Sequence, residues 1–131
     1  MIGKEILELL AANTDLTDLV PAAKMFPYVI EKDTALPAIV YTIETITPQY
    51  TKDGWHKDDS MFNVVSFNFN YEDLQEIAYQ VRQACEWKFI ESGNTIRHIR
   101  MTGQDEGFNI TENVYVNRLT FSANITNYKN E

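Results

Sequence analysis

The spacing of hydrophobic residues along this chain changes several times, and each change marks an element. Between residues 2 and 13, Ile2, Ile6, Leu9 and Leu10 recur at helical spacing, with Lys4, Glu5 and Glu8 elsewhere. That pattern predicts a short amphipathic helix resting one face on a core. Asn13-Thr14-Asp15 then supplies stop and cap chemistry. Leu16, Leu19 and Val20 predict a further helical turn, ended by Pro21. From residue 38 to 48 the period falls to two: Ile39, Tyr41 and Ile43 share one face, Thr42 and Glu44 the other. Residues 61–71 repeat the alternation, with Val65, Phe67, Phe69 and Tyr71 on one side and Ser66, Asn68 and Asn70 opposite. Both segments predict half-buried antiparallel strands.

The helical period returns over residues 72–90, through Leu74, Ile77, Ala78, Val81, Cys85 and Phe89. Asn70 is placed to cap this second helix, and Gly93-Asn94 to end it. Two strands close the chain. Thr95–Thr102 alternates poorly. Val114–Tyr128 alternates clearly, with Tyr115, Leu119, Phe121, Ala123 and Ile125 inward and Arg118, Thr120, Ser122, Asn124 and Thr126 outward. Gly103–Gly107 and Asn109–Asn113 are expected to connect them. Upstream, Met25–Tyr41 holds two short apolar runs, each with a proline. Proline fixes φ and cannot donate a ladder hydrogen bond, so Pro27 and Pro37 belong at strand starts, edges or entry turns. The order helix, short strand, strand, strand, helix, strand, strand predicts one α+β domain over residues 1–131. Its economical form is an antiparallel sheet of about four strands with two helices packed on one face.

Composition narrows the function classes. With 131 residues and 44% hydrophobic positions, the chain can bury a single core. No run approaches the roughly 18 apolar residues of a membrane span, and the N-terminus lacks a signal-peptide pattern, so synthesis in the cytoplasm is expected. The single cysteine, Cys85, excludes an internal disulfide and a cysteine zinc site, and on the apolar side of a helix it reads as a buried hydrophobe. A formal charge of −8 argues against gripping phosphate backbones, though not against a protein that DNA passes without sticking.

Little here points to catalysis. His56 with Asp53, Asp58 and Asp59 is the only cluster resembling a metal site, and a solvated polar loop accounts for it; no metal or cofactor is expected. His98, between Arg97 and Arg100, has no nucleophile motif beside it, and no phosphate loop or His-Glu-x-x-His pattern occurs. The segment Gln49–Ser60 reads as a protruding hairpin tip or mobile loop carrying an Asp53-Gly54 turn signal. Its Trp55 either anchors a partner or folds back on the sheet. Arg97, Arg100 and Arg118 gather on the final hairpin, either as ordinary surface charge or as complementary charge across a subunit contact. Trp55, His56, Arg97, Arg100 and Arg118 are therefore the candidate contact residues.

Several features together resemble the tail-completion, or head–tail joining, proteins of long-tailed phages. They are Leu7, Leu10 and Leu16-Thr-Asp-Leu19; Phe26-Pro27-Tyr28; Leu36-Pro-Ala-Ile-Val-Tyr41; Val65-Ser-Phe-Asn-Phe69; Ala78, Val81 and Ala84; and Arg118 through Ile125. Met25 departs from the pattern, standing where a basic residue is expected. The resemblance implies a tail-terminator-like, non-enzymatic subunit. It implies a six-fold ring of copies between tail-tube and head-connector proteins, with DNA passing through without specific binding. It places the protein in the host cytoplasm during assembly and then in the virion. A different class, a stand-alone module binding a protein or small ligand through residues 49–60, is the alternative.

Overall fold

The computed structural model describes residues 2–50, 56–92 and 94–126. Helix α1 spans Ile2–Ala11 and α2 spans Thr14–Leu19, followed by one turn of 3-10 helix at Ala22–Lys24. Asn13 caps α2, its Oδ1 accepting the Leu16 N–H at 3.0 Å. Strand β1 is Met25–Pro27, β2 Ala38–Tyr50 and β3 His56–Asn68; α3 is Tyr71–Cys85; β4 is Ile90–Ser92, β5 Asn94–Asn109 and β6 Val114–Thr126. Asn70 caps α3 as its position suggests, accepting from the Asp73 N–H at 3.0 Å.

The strands form one sheet in the order β1-β2-β3-β6-β5-β4. The fold class is α+β, but the sheet is neither four-stranded nor antiparallel throughout. β1 runs parallel to β2, and both edges end in three-residue strands. Pro27 ends the edge strand β1, and Pro37 directly precedes β2 across a cis Leu36–Pro37 peptide. Both prolines thus sit where a missing N–H costs no ladder bond.

All three helices cover one face. There Ile6, Leu9, Leu10 and Leu16 meet Ile77, Val81 and Cys85 of α3 over Ile39, Tyr41, Phe62, Val64, Leu119 and Phe121. The centre of this core is the β3–β6 ladder, where Phe62 pairs with Phe121 and their rings stack at 5.3 Å.

The expected Gln49–Ser60 loop is strand at both ends, because β2 runs to Tyr50 and β3 pairs with it from His56 onward. Three further sequence expectations need correction. In β3 the alternation is right but the facing is inverted: Val65 and Phe67 are half-buried on the face away from the helices, while Ser66 and Asn68 are buried. Register dictates this, since Phe62 and Val64 lie opposite Phe121 and Leu119. Asn68 then serves the turn into α3, its Oδ1 accepting the Phe69 N–H at 2.8 Å. Second, α3 ends at Cys85 rather than near residue 90, because Trp87 takes a left-handed φ of 62° and its N–H bonds the Ile99 carbonyl at 2.7 Å. Phe89 accordingly lies outside the core, exposed. Third, Gly103–Gly107 is strand. β5 continues to Asn109, with register shifts between Arg97 and Arg100 and between Met101 and Gly103, and the turn falls at 110–113, where Asn113 has φ 60°.

Two outcomes test this packing. Phe62→Ala should cost about 3–5 kcal/mol in denaturant unfolding, because it opens a cavity beneath the stacked ring. Burial pushes the Cys85 thiol up to about 12. It should therefore resist alkylation by iodoacetamide at pH 8 in the folded protein and react promptly in denaturant.

Candidate functional site

The face of the sheet away from the helices is the surface that the long strands build together. Register lays it out in rows across β2, β3, β6 and β5. One row holds Ala38, Phe67, Val116 and Gly107; the next holds Val40, Val65, Arg118 and Asp105. Then come Thr42, Asn63, Thr120 and Gly103; Thr45, Met61, Ser122 and Arg100; and Thr47, Asp59, Asn124 and Arg97. The rows pass from apolar at one end to hydroxyl, amide and charge at the other.

Cross-strand hydrogen bonds fix the middle of this face. Thr120 donates its hydroxyl to Asn63 Oδ1 at 2.7 Å, and the Asn63 amide reaches Thr42 and Glu44, each at 3.4 Å. Arg118 meets Asp105 Oδ2 at 2.8 Å, which holds the guanidinium above its ordinary pKa. Further along, a shallow groove of about 570 Å³ runs between Lys57, Asp59 and Arg100.

The predicted contact residues separate into three groups. Arg97, Arg100 and Arg118 do share the open face, because the bulge between Arg97 and Arg100 offsets a three-residue spacing that alternation would split, but their settings differ. Arg118 pairs within its own hairpin; Arg97 lies 5.7 Å from the centre of the Phe89 ring; Arg100 is exposed beside the groove. The His56 backbone opens β3 opposite Tyr50, and its side chain lies outside what is described. Trp55 and Asp53 lie outside the described residues. Of the acids grouped with them, Asp58 and Asp59 are consecutive strand residues on opposite faces of β3. His98 occupies a left-handed bulge position, φ 57°, with its Nδ1 3.0 Å from the Asn124 amide nitrogen.

Two features were not legible in the sequence. Trp87 stands 68% exposed just past α3, where the helical period alone carries the helix on to residue 90. The second is the pair of open sheet edges. β1 covers β2 only opposite Ile39–Tyr41, and the Tyr28 hydroxyl takes one more N–H, from Ile43 at 3.3 Å. β4 covers β5 only opposite Asn94–Ile96. Among the described residues, β2 beyond Ile43 and β5 beyond Ile96 have no neighbouring strand on their outer sides, although β5 is bonded at Ile99 by the Trp87 N–H and at Met101 by Glu86. Edges without a neighbouring strand are sites for strand addition.

This fold has a solved counterpart. The chain is similar to one in the virion of a native gene transfer agent particle, with a TM-score of 0.79 at 14% identity. The match covers 92% of this chain and 91% of that one. No protein-family model and no curated protein matches the sequence. The likeness therefore establishes the fold across nearly the whole of both chains. Among the described residues no helix is long and apolar enough to cross a membrane.

One contact tying the helical layer to the sheet gives a pH-dependent prediction. Glu86 accepts Arg82 Nε at 2.8 Å and the Met101 N–H at 3.2 Å, and the arginine above all holds its carboxyl below the ordinary value. A depressed carboxyl pKa stabilises the fold above the unfolded value of about 4.3 and loses that contribution as pH falls through the folded value. Glu86→Gln should therefore cost about 1 kcal/mol at pH 7, and the gap to wild type should close below about pH 4 in urea titrations.

Proposed function

We propose that this chain is a non-enzymatic structural subunit of a phage-like particle. Its copies assemble into a ring that completes or terminates the tail and joins it to the head. The observation that carries this reading is the near end-to-end fold match to a chain of a gene transfer agent virion. The sequence resemblance to tail-completion proteins points to the same kind of particle by an independent route.

The surface chemistry supports assembly over catalysis. Cys85 is sealed in the core, and His98 meets an amide rather than a nucleophile. The open edges of β2 and β5 lie on opposite sides of the sheet and run in opposite directions. One edge can therefore meet the other in the next copy as an antiparallel pair. That is a heterologous contact, the kind that closes rings when the rotation permits. Six copies are the expected number, on the family resemblance. The proposed setting is the host cytoplasm during assembly and the virion afterwards, with tail-tube and head-connector proteins as neighbours. Arg97, Arg100 and Arg118 are proposed contact residues on the open face, and Trp55 and His56 are proposed as further contacts from the sequence.

Deleting the gene from its parent phage or prophage tests the reading directly. Negative-stain microscopy of the induced lysate should show filled heads and separate tails, and adding the purified protein should restore whole particles. Normal infectious particles from the deletion strain would overturn the joining role.

A further inference from the structure

One end of the molecule has a character that ring formation through the sheet edges leaves unused. It is where α3 begins and β5 turns into β6. The rings of Tyr71 and Tyr115 lie 5.3 Å apart, and those of Tyr115 and Phe108 lie 4.8 Å apart, giving a continuous aromatic surface. Around it Ile110 is 85% exposed, Phe69 60% and Phe108 44%. Single exposed apolar residues are ordinary, whereas a contiguous group rimmed by polar residues marks a contact with another protein.

The rim here is acidic. Glu72 and Asp73 lie in the first turn of α3, Glu112 in the β5–β6 turn, and Glu106 accepts the Tyr71 hydroxyl at 2.9 Å. None of these four is in either ion pair among the described residues, Arg82–Glu86 and Arg118–Asp105. Burying this end against a neutral surface would strip water from carboxylates and give nothing back. A fitting partner brings cations to the rim and an apolar recess to the centre.

A second copy of this chain does not meet that description. Two copies joined through this end would set four acids against four. Of the chain's own exposed cations, Lys57, Arg100 and Arg118 stand on the open sheet face among hydroxyls and amides, and Arg82 is paired with Glu86. Lys4 and Lys32 lie on α1 and in the loop before β2, and Lys88 borders a recess of Leu9, Ala84, Phe89 and Ile90 that Glu8 also lines. None of these sites rings an apolar recess with cations. We propose that the Phe69–Tyr71–Phe108–Ile110 end docks a different virion protein, one whose contact surface is an apolar recess ringed by Lys and Arg. This rests on the joining role proposed above and assigns it a surface. Ile110 and Phe108 are the anchors; Glu72, Asp73 and Glu112 supply orientation.

The test uses heads and tails from the deletion lysate, mixed with purified full-length protein and scored as infectious particles. Two variants are compared with wild type: Ile110→Asp, which places a charge on the most exposed anchor, and Glu72→Lys/Glu112→Lys, which reverses the rim. Sedimentation velocity follows self-association, and thermal unfolding confirms that both variants fold. Expected are a fall of roughly 30-fold or more in joined particles for each variant, unchanged sedimentation, and joining by wild type that weakens from 50 to 500 mM NaCl. Variants that join as wild type does would overturn the proposal. So would variants that lose self-association, since the patch would then be a contact between copies. Wild-type protein that leaves heads and tails separate would remove the joining role itself, and this assignment with it.

Discussion

The pairing of β3 with β6 holds the two halves of this chain together. β3 is reached from the N-terminal helices and β2, and β6 is the last strand, so their 12 paired positions connect segments distant in sequence. On one side of the ladder Phe62 stacks on Phe121, closing the core under α3; on the other, Asn63 and Thr120 exchange a hydrogen bond that organises the open face. Because side chains alternate across a strand, one register fixes both surfaces at once, and a slip by one residue would put Phe62 and Phe121 on opposite faces. The apolar face sets the register, and the polar face inherits its order.

That dependence explains which parts of the fold could be read in advance. β6 was legible because its alternation is clean from Leu119 to Ile125, and α2 because Asn13 and Pro21 bracket it. Asn70 was legible as a cap for the same local reason. β3 was misread because both of its faces carry apolar residues: Phe62 and Val64 on one, Val65 and Phe67 on the other. Alternation alone cannot say which of these lies under the helices; the partner strand decides. The end of α3 was hidden because Phe89, four residues after Cys85, continues the helical period past the break, while just beyond the stop stands a tryptophan in a conformation that glycine usually takes.

The surface divided along similar lines. Arg97 and Arg100 share a face with Arg118 only because the bulge at His98 offsets a three-residue spacing that alternation alone would split. Their differing partners were not legible either, since Asp105 lies not in a turn but opposite Arg118 in the ladder. The aromatic end was equally hidden. Tyr71, Phe108 and Tyr115 are scattered over more than forty positions in the sequence. They meet only because β5 runs on past Gly103–Gly107, which carries Phe108 to the point where α3 starts.

The net charge of −8 invites a picture of a uniformly acidic protein that repels DNA as it passes. The fold does not spread that charge evenly. Its open sheet face presents Lys57, Arg97, Arg100 and Arg118 against Glu44, Asp59 and Asp105, close to balance. The excess of acid sits instead on the helices, in the loop before β2 and at the aromatic end. A phosphate within a Debye length, about 8 Å at physiological salt, responds to the face it meets and not to the sum over the chain. In a ring, the sign of the channel would therefore be set by which face turns inward. If the open face lines it, DNA would pass a nearly neutral wall of hydroxyls and amides, where weak binding comes from balance rather than from repulsion.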